Sequence, residues 1–196
     1  MNFQSHSQGG QDAWVFEMTE RKTGGSFLDL GCSDPIFHNN TYALEEDWLW
    51  RGVLCDIVGG CESRKGVFIK CDAAKPDDAL KFRYEQLAPV CDYLSLDCDD
   101  NTLPVFMALP WDTLSFRVAT IETDVYHKGP EVRNWIRAVM REKGYTLVCG
   151  DVKVGWPNPA DRSPYEDWWA QPELINPELI EKYRCDGCFW EDILKR

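Results

Sequence analysis

Six short apolar segments recur along the first three quarters of the chain and constrain its fold more than any other feature. Each is rich in β-branched or aromatic residues and ends at or near an acidic residue or a glycine, which is typical of buried strands. The segments span residues 27–31, 52–57, 66–71, 91–97, 116–124 and 145–152.

Helical patterns separate these predicted strands. The clearest covers 130–143 and ends at Lys143-Gly144, a common C-terminal stop. The other helices are predicted at 12–20, 40–50, 76–88 and 101–109. Strand alternating with helix predicts an α/β, three-layer Rossmann-like fold with a mostly parallel sheet.

The C-terminal segment differs in composition from the rest. Residues 153–196 hold four of the nine tryptophans, five of the eleven prolines and the only CxxC motif, Cys185 to Cys188. We predict a strand near 164–169 and a helix near 177–184. The chain is thus expected to form one domain, with a core at 1–152 and an extension at 153–196 that completes the sheet and caps the site.

Charge and cysteine content exclude several classes of protein. The 33 acidic and 21 basic residues give a net charge of −12, which disfavours nucleic acid and anionic membranes as partners. No apolar window is long enough for a membrane span, and the first residues lack a secretory pattern.

Nine cysteines are an odd number, which argues against a disulfide scaffold and favours a cytoplasmic protein. A lone CxxC lacks the second ligand pair of a zinc site.

Acidic residues end five of the predicted strands. Ligands of an open α/β sheet bind at the carboxyl ends of its strands, so these acids are expected at one edge. Like charges there repel unless a metal, a cationic ligand or hydrogen bonds compensate. The strand-end residues are Gly31 to Asp34, Asp56, Asp72, Asp97 with Asp99 and Asp100, and Glu122 with Asp124.

The first strand runs into FLDLGCSDP, at 27–35, which has a single glycine. One glycine permits close backbone approach but does not form a diphosphate cradle, so a nucleoside without phosphates is favoured. Asp56 is placed to bind a ribose diol, and Asp72 with Ala73 to bind an adenine amino group. A positive sulfonium would suit the acidic edge, which points to S-adenosylmethionine.

The order and spacing of several motifs resemble those of the FkbM-type methyltransferases. The matching segments are SQGGQD (7–12), FLDLGCSD (27–34), NNTYALE (39–45), RGVLCDI (51–57), CDYLSLDCD (91–99), VATIETD (118–124) and GYTLVCGDV (144–152). The resemblance implies a class I methyltransferase with a seven-stranded sheet, S-adenosylmethionine as donor, and a hydroxyl acceptor on a small molecule or sugar.

Carried over residue by residue, the resemblance implies a cofactor-binding set and an acceptor segment. The cofactor set is Asp29, Gly31, Cys32, Ser33, Asp34, Asn40, Thr41, Asp56, Asp72 and Ala73. The segment usually read Asp-x-Glu-Gly departs here, with Asp99 for Glu and Asp100 for Gly. Thr123 stands where a histidine is more often expected, and it does not serve as a base.

Two mechanisms remain open, and both use Asp97, Asp99 and Asp124 as catalytic candidates. In one, Asp97 or a neighbouring carboxylate is the base that takes the hydroxyl proton. In the other, the three carboxylates hold a divalent ion such as Mg²⁺. The alternatives are a metal-dependent nucleotide-sugar glycosyltransferase that uses Asp97-Cys98-Asp99, and a non-catalytic module with the same fold.

Overall fold

An eight-stranded sheet organises the chain in the computed structural model, which describes residues 3–155 and 163–196. The strands are β1 (Ser26–Leu30), β2 (Arg51–Asp56), β3 (Val67–Lys70), β4 (Val90–Leu96), β5 (Ser115–Glu122), β6 (Thr146–Val152), β7 (Glu166–Ala170) and β8 (Cys185–Asp186). The helices are α1 (Gln11–Met18), α2 (Tyr42–Trp48), α3 (Asp78–Leu87), α4 (Thr102–Ala108), α5 (Val125–Lys128), α6 (Pro130–Glu142), α7 (Pro177–Tyr183) and α8 (Trp190–Leu194).

The strands lie in the order β3-β2-β1-β4-β5-β7-β6-β8. All neighbours are parallel except β7, which runs antiparallel to both β5 and β6. The chain winds outward from β1 in one direction and from β4 in the other, so the switch point lies between β1 and β4. The α/β, mostly parallel fold predicted from the sequence is confirmed.

The number of strands was predicted wrongly. Seven were expected, and the structure has an eighth at Cys185–Asp186, beside β6. A two-residue strand has no periodic pattern of its own, and it forms here because the edge of β6 offers unpaired backbone groups. Of the C-terminal segment predicted at 153–196, residues 156–162 lie outside the described residues.

Two apolar clusters cover the two faces of the sheet, because successive strand residues point to opposite sides. Phe27 and Leu54 belong to the first cluster, with residues of α1, α2 and α7. Leu28 and Val53 belong to the second, with residues of α3, α4 and α6. The helices therefore form a layer on each face and leave the strand ends accessible.

Candidate functional site

A cavity of about 590 Å³ lies at the carboxyl ends of β1 to β4, across the switch point. Its volume is in the range of small-molecule sites. Eight residues predicted for the site line it: Gly31, Ser33, Asp34, Asp56, Asp72, Ala73, Asp97 and Asp99. The structure therefore brings together the ends of four different strands, as the sequence predicts.

Gly31 fixes the contact between β1 and β4 at the floor of this cavity. Its φ is 87°, and a Cβ atom placed on it would lie 1.7 Å from the carbonyl oxygen of Asp97. The two strand ends are also joined by the Asp97 N–H, which donates to the Leu30 carbonyl at 3.0 Å. Only glycine fits this position, because any side chain would separate the two strands.

Backbone N–H groups compensate the acids on the β1–β3 side of the cavity. Asp56 accepts from the N–H of Ser33 at 3.0 Å and of Val58 at 2.7 Å. Asp72 accepts from the N–H of Ala74 at 3.0 Å. A carboxylate has about four acceptor positions, so both acids keep acceptor capacity for a ligand.

Asp34 has a local role in the same loop. Its Oδ1 accepts from the N–H groups of Ile36 and Phe37, at 2.9 and 2.7 Å. These two backbone bonds favour the charged form and hold the pKa of Asp34 below its usual value. The carboxylate therefore shapes the turn after β1 while it lines the cavity.

Four of the predicted cofactor residues lie beneath the cavity and do not line it: Asp29, Cys32, Asn40 and Thr41. Thr41 Oγ1 donates to Asp29 Oδ2 at 2.7 Å, and Asn40 Nδ2 donates to Ser95 Oγ at 3.1 Å. Burial is the main cause that raises the pKa of Asp29. The bonds of Asp29 and Thr41 support the loop after β1 from below, while Asn40 Oδ1 is buried and has no hydrogen-bond partner among the described residues.

On the β4–β5 side, two carboxyl groups share a hydrogen bond. Asp97 bonds to Glu122, and burial raises the pKa of Asp97 to about 6 and that of Glu122 to about 10. Near pH 7 the pair therefore holds one proton and one negative charge, and the higher pKa of Glu122 favours the proton on that residue. This arrangement keeps one negative charge where two would repel.

Two tyrosines orient this pair of carboxyl groups. Tyr165 Oη donates to Asp97 Oδ2 at 3.0 Å, and Tyr126 Oη donates to Glu122 Oε1 at 2.7 Å. The two tyrosine rings stack with their centroids 6.0 Å apart. Burial keeps the pKa of Tyr165 well above its usual value, so its hydroxyl remains a donor.

Glu166 extends the cluster beneath the surface. It lies opposite Glu122 in the antiparallel pairing of β5 and β7, so both side chains project from the same face of the sheet. It is 3% exposed, and its Oε1 has no hydrogen-bond partner in the described part of the chain. Burial raises the pKa of Glu166 well above its usual value, which favours its protonated form.

Tyr126, Tyr165 and Glu166 are site residues that the sequence motifs do not predict. Their contacts with Asp97 and Glu122 join segments far apart in sequence, and spacing carries no sign of them. Glu166-Asp167, directly before Trp168-Trp169, was the available signal, because acids inside a buried strand need a specific reason.

The residues do not fit the predicted Mg²⁺ site. Within residues 3–155 and 163–196, no group of three or more His, Cys, Asp or Glu side chains is arranged to hold a metal ion. Asp124 begins α5 in a left-handed conformation, with φ at 54°, and does not line the cavity. Asp97 is engaged with Tyr165 and Glu122, while Lys128 neutralises the neighbouring Asp100 at 3.0 Å. Hydrogen bonds and a lysine thus compensate the acids on this side.

Comparisons with known proteins bear on the fold alone. A scan against protein-family models finds no match, and a search of curated proteins finds none either. Among solved structures, a protein described as a "putative hemolysin" from Lactococcus lactis is similar, with a TM-score of 0.53 and 14% identity over 96% of each chain. Each helix in the described ranges is too short or too polar to cross a membrane.

Proposed function

We propose that the protein is an S-adenosylmethionine-dependent O-methyltransferase that acts on a hydroxyl group of a small molecule or sugar. The observation that carries this proposal is the cavity at the switch point, where Gly31, Asp56 and Asp72 meet Asp97. The order β3-β2-β1-β4-β5-β7-β6 with a reversed β7 agrees with the class I methyltransferase fold that the sequence motifs imply. The edge strand β8 is an addition to that pattern.

Residues at the ends of β2 and β3 would hold the nucleoside. The free acceptor positions of Asp56 suit the two hydroxyls of a ribose, and Asp72 beside Ala73 suits an adenine amino group. When bound, the cofactor supplies a methyl group on a positively charged sulfur. The acidic lining of the cavity favours that positive charge over the neutral product.

Asp97 is the proposed general base. Its pKa of about 6 makes it ionised at pH 7 and more basic than an ordinary aspartate. Tyr165 and Glu122 hold its carboxylate in place through hydrogen bonds. A hydroxyl acceptor beside Asp97 would pass its proton to this carboxylate while its oxygen is aligned for transfer.

Calorimetric titration with S-adenosylhomocysteine tests the cofactor site. We expect a dissociation constant in the micromolar range, which corresponds to a binding free energy on the order of −8 kcal/mol. Asp56→Asn should weaken binding by about tenfold or more, because a charged acceptor is lost. Asp47→Asn is the matched control, since Asp47 is exposed on α2. This variant should bind S-adenosylhomocysteine with the affinity of the wild type. Unchanged affinity in Asp56→Asn would contradict the assignment of Asp56.

An acceptor panel tests the chemistry. Mass spectrometry should detect a product that carries one added methyl group on oxygen. The rate of methyl transfer should fall as the pH drops through about 6, because Asp97 takes up a proton there. Asp97→Asn should lose turnover but keep S-adenosylhomocysteine binding. Turnover should survive excess EDTA, because no step depends on a metal. A non-catalytic module would bind the cofactor product and methylate no acceptor.

No observation favours the glycosyltransferase alternative. Asp97 of the Asp97-Cys98-Asp99 motif is engaged with Tyr165, and the described side chains do not form a metal-holding set. The same calorimeter separates the two classes of protein. Binding of a nucleotide sugar with Mn²⁺, with no response to S-adenosylhomocysteine, would replace the methyltransferase proposal.

A further inference from the structure

The CxxC motif forms a tight turn at the edge of the sheet, away from the cavity. Cys185 opens β8 and pairs in register with Cys149 of β6. Gly187 turns the chain with a φ of 65°, and its N–H donates to the Gly150 carbonyl at 2.8 Å. The Cys188 carbonyl then accepts from the Lys153 N–H at 3.0 Å. The motif is therefore fixed to β6 at both ends.

Three sulfur atoms meet at this turn. The side chains of Cys149 and Cys188 both interact with that of Cys185, while their own thiols donate to the carbonyls of Tyr183 at 3.3 Å and of Asp186 at 3.7 Å. Cys149 is fully buried and Cys185 is half-buried. Arg196 adds a positive charge, because its Nη2 donates to Cys188 Sγ at 3.6 Å. Cys185 is thus half-buried beside two further cysteines, with an arginine bound to Cys188.

These contacts distinguish the two cysteines of the motif. Interactions with the side chains of Cys149 and Cys188 lower the pKa of Cys185 to about 7, whereas burial and the neighbouring sulfur raise that of Cys188. A low pKa on one cysteine of a CxxC is the pattern of a nucleophile with a resolving partner. The other seven cysteines lack this combination; burial raises the pKa of Cys91, for example, to about 12.

Arginines surround Cys185 on the outside. An open depression beside it is lined by Arg137, Arg141 and Arg184 together with Asp186. Arg137 is paired with Asp151 and Asp167, and Arg184 with Glu181. Arg141 is exposed and makes no ion pair with any residue that the structure describes. Arg141 therefore offers the carboxylate of a small molecule an unpaired positive charge beside Cys185.

We propose that Cys185 and Cys188 form a redox-active dithiol that exchanges with small anionic disulfides. The Cys185 thiolate attacks one sulfur of the disulfide, which forms a mixed disulfide and releases the other half as a thiolate. Cys188 then loses its proton and attacks the Cys185 sulfur, which closes the Cys185–Cys188 bond and releases the second half. Two protein thiols are oxidised, and one disulfide is reduced to two thiols. The site shares no residue with the cavity and does not depend on the proposed methyl transfer.

Glutathione disulfide is the probe that tests this proposal. Wild-type protein is equilibrated at pH 7 in buffers of increasing glutathione disulfide, quenched in acid, alkylated and analysed as peptides by mass spectrometry. We expect a disulfide between Cys185 and Cys188, with the other seven cysteines still alkylated as internal references. Cys188→Ser should instead retain one glutathione on Cys185, because the resolving thiol is gone.

Alkylation rates test the role of Cys149. At pH 7, Cys185 should react with iodoacetamide about a hundredfold or more faster than the buried Cys91, in line with its thiolate fraction. In Cys149→Ala the pH profile of Cys185 alkylation should move to higher pH, because the side chain that most lowers the pKa of Cys185 is lost. A purely structural Cys149 would leave that profile unchanged.

Three results would overturn the proposal. The first is the absence of the Cys185–Cys188 disulfide at the most oxidising ratio. The second is a glutathione adduct on wild-type Cys185 that persists without closing the loop. The third is one tightly bound zinc per chain that protects these thiols until a chelator removes it, which would make the cluster a metal site.

Discussion

Strained backbone is concentrated at single residues along the edge of the candidate site. Ser33, Asp99 and Asp124 follow β1, β4 and β5, and they have φ values of 45°, 46° and 54°. Each such conformation costs about 1–3 kcal/mol for a residue with a side chain. The surrounding contacts must hold them there, as the bond from the Asp99 N–H to Glu122 Oε2 at 2.9 Å does. Strain of this kind is common where side chains must be aimed at a ligand.

Gly31 provides a test with a matched control. Gly31→Ala should destabilise the protein by about 2–4 kcal/mol, since a positive φ and a collision with the Asp97 carbonyl act together. Gly24 also has a positive φ, of 69°, but a Cβ there meets nothing within 4 Å. Gly24→Ala should therefore cost only about 1 kcal/mol. Urea unfolding measures both, and equal losses would contradict the role given to the Asp97 contact.

Glu122 should make stability fall as pH rises. In the unfolded chain it loses its proton near its usual pKa, whereas the folded chain keeps the proton until about pH 10. Between those values folding takes up a proton, so Glu122 lowers the unfolding free energy by up to about 1.4 kcal/mol per pH unit. Glu122→Gln mimics the protonated form and should remove the contribution of Glu122 to this slope between pH 5 and pH 9.

Denaturant unfolding at several pH values checks this expectation. Glu85→Gln is the control, because Glu85 is exposed on α3 and its replacement should leave the wild-type slope intact. A slope in Glu122→Gln that equals that of the wild type would show that Glu122 is already ionised in the folded protein.

At this scale the sequence predicts positions better than roles. Asp56, Asp72 and Asp97 follow buried strands, and the geometry of a parallel sheet brings such residues to one edge. Asp29 and Thr41 belong to equally clear motifs, yet they bind each other under β1. A sequence motif indicates that a side chain matters. It does not distinguish a residue that contacts a ligand from one that stabilises the fold around the site.

At the scale of elements, one arginine joins the segments around the cavity. Arg64 is buried between the loops that follow β1 and β2, and its Nε binds Glu45 of α2 at 2.7 Å. Its Nη1 donates to Asn39 Oδ1 at 2.8 Å and to the Pro35 carbonyl at 3.1 Å. Glu45 also accepts from the N–H of Lys65 at 3.1 Å. The NNTYALE segment therefore anchors the loops of the site.

Removal of this anchor should be costly. Arg64→Met leaves Glu45 buried without its counter-charge, and we expect a loss of about 3–5 kcal/mol. Lys65→Met removes the neighbouring pair of Lys65 and Glu46, whose side chains are 44% and 33% exposed, and should cost less than about 1 kcal/mol. Thermal unfolding compares the two variants. A similar small loss in both would mean that the loops do not depend on Arg64.

Most strands and helices were predictable because each has a local pattern in the sequence. Buried parallel strands appear as short apolar runs, and α6 begins with Pro130 and ends before Gly144. β8 has no such pattern, since its two residues form a strand only because β6 is adjacent. The reversed direction of β7 was also unreadable, because direction follows from the path of the connection and not from the strand itself.

At the scale of the whole molecule, the net charge of −12 acts against folding. The compact state holds the excess acids closer together than the unfolded chain does, and salt screens that repulsion. Between about 0.01 M and about 0.15 M NaCl the Debye length falls from about 30 Å to about 8 Å. The melting temperature at pH 7.5 should rise by a few degrees over this range.

Calorimetry at two pH values separates screening from other effects of salt. Near the sequence isoelectric point, about 4.7, the net charge is close to zero and the rise should vanish. KCl should reproduce the result with NaCl at pH 7.5. An equal rise in melting temperature at both pH values would mean that salt acts on the protein through interactions that do not depend on net charge.

The place of β7 has a consequence for the order in which the chain can fold during synthesis. Residues 26–96 contain β1 to β4 and most of the cavity lining, so all neighbouring strands of this half leave the ribosome before β5 does. β6 has to wait, because the strand between it and β5 ends only at Ala170. For about twenty residues of elongation, roughly one to four seconds at usual rates, the apolar strand β6 has no neighbour in the sheet and is the segment most exposed to chaperones.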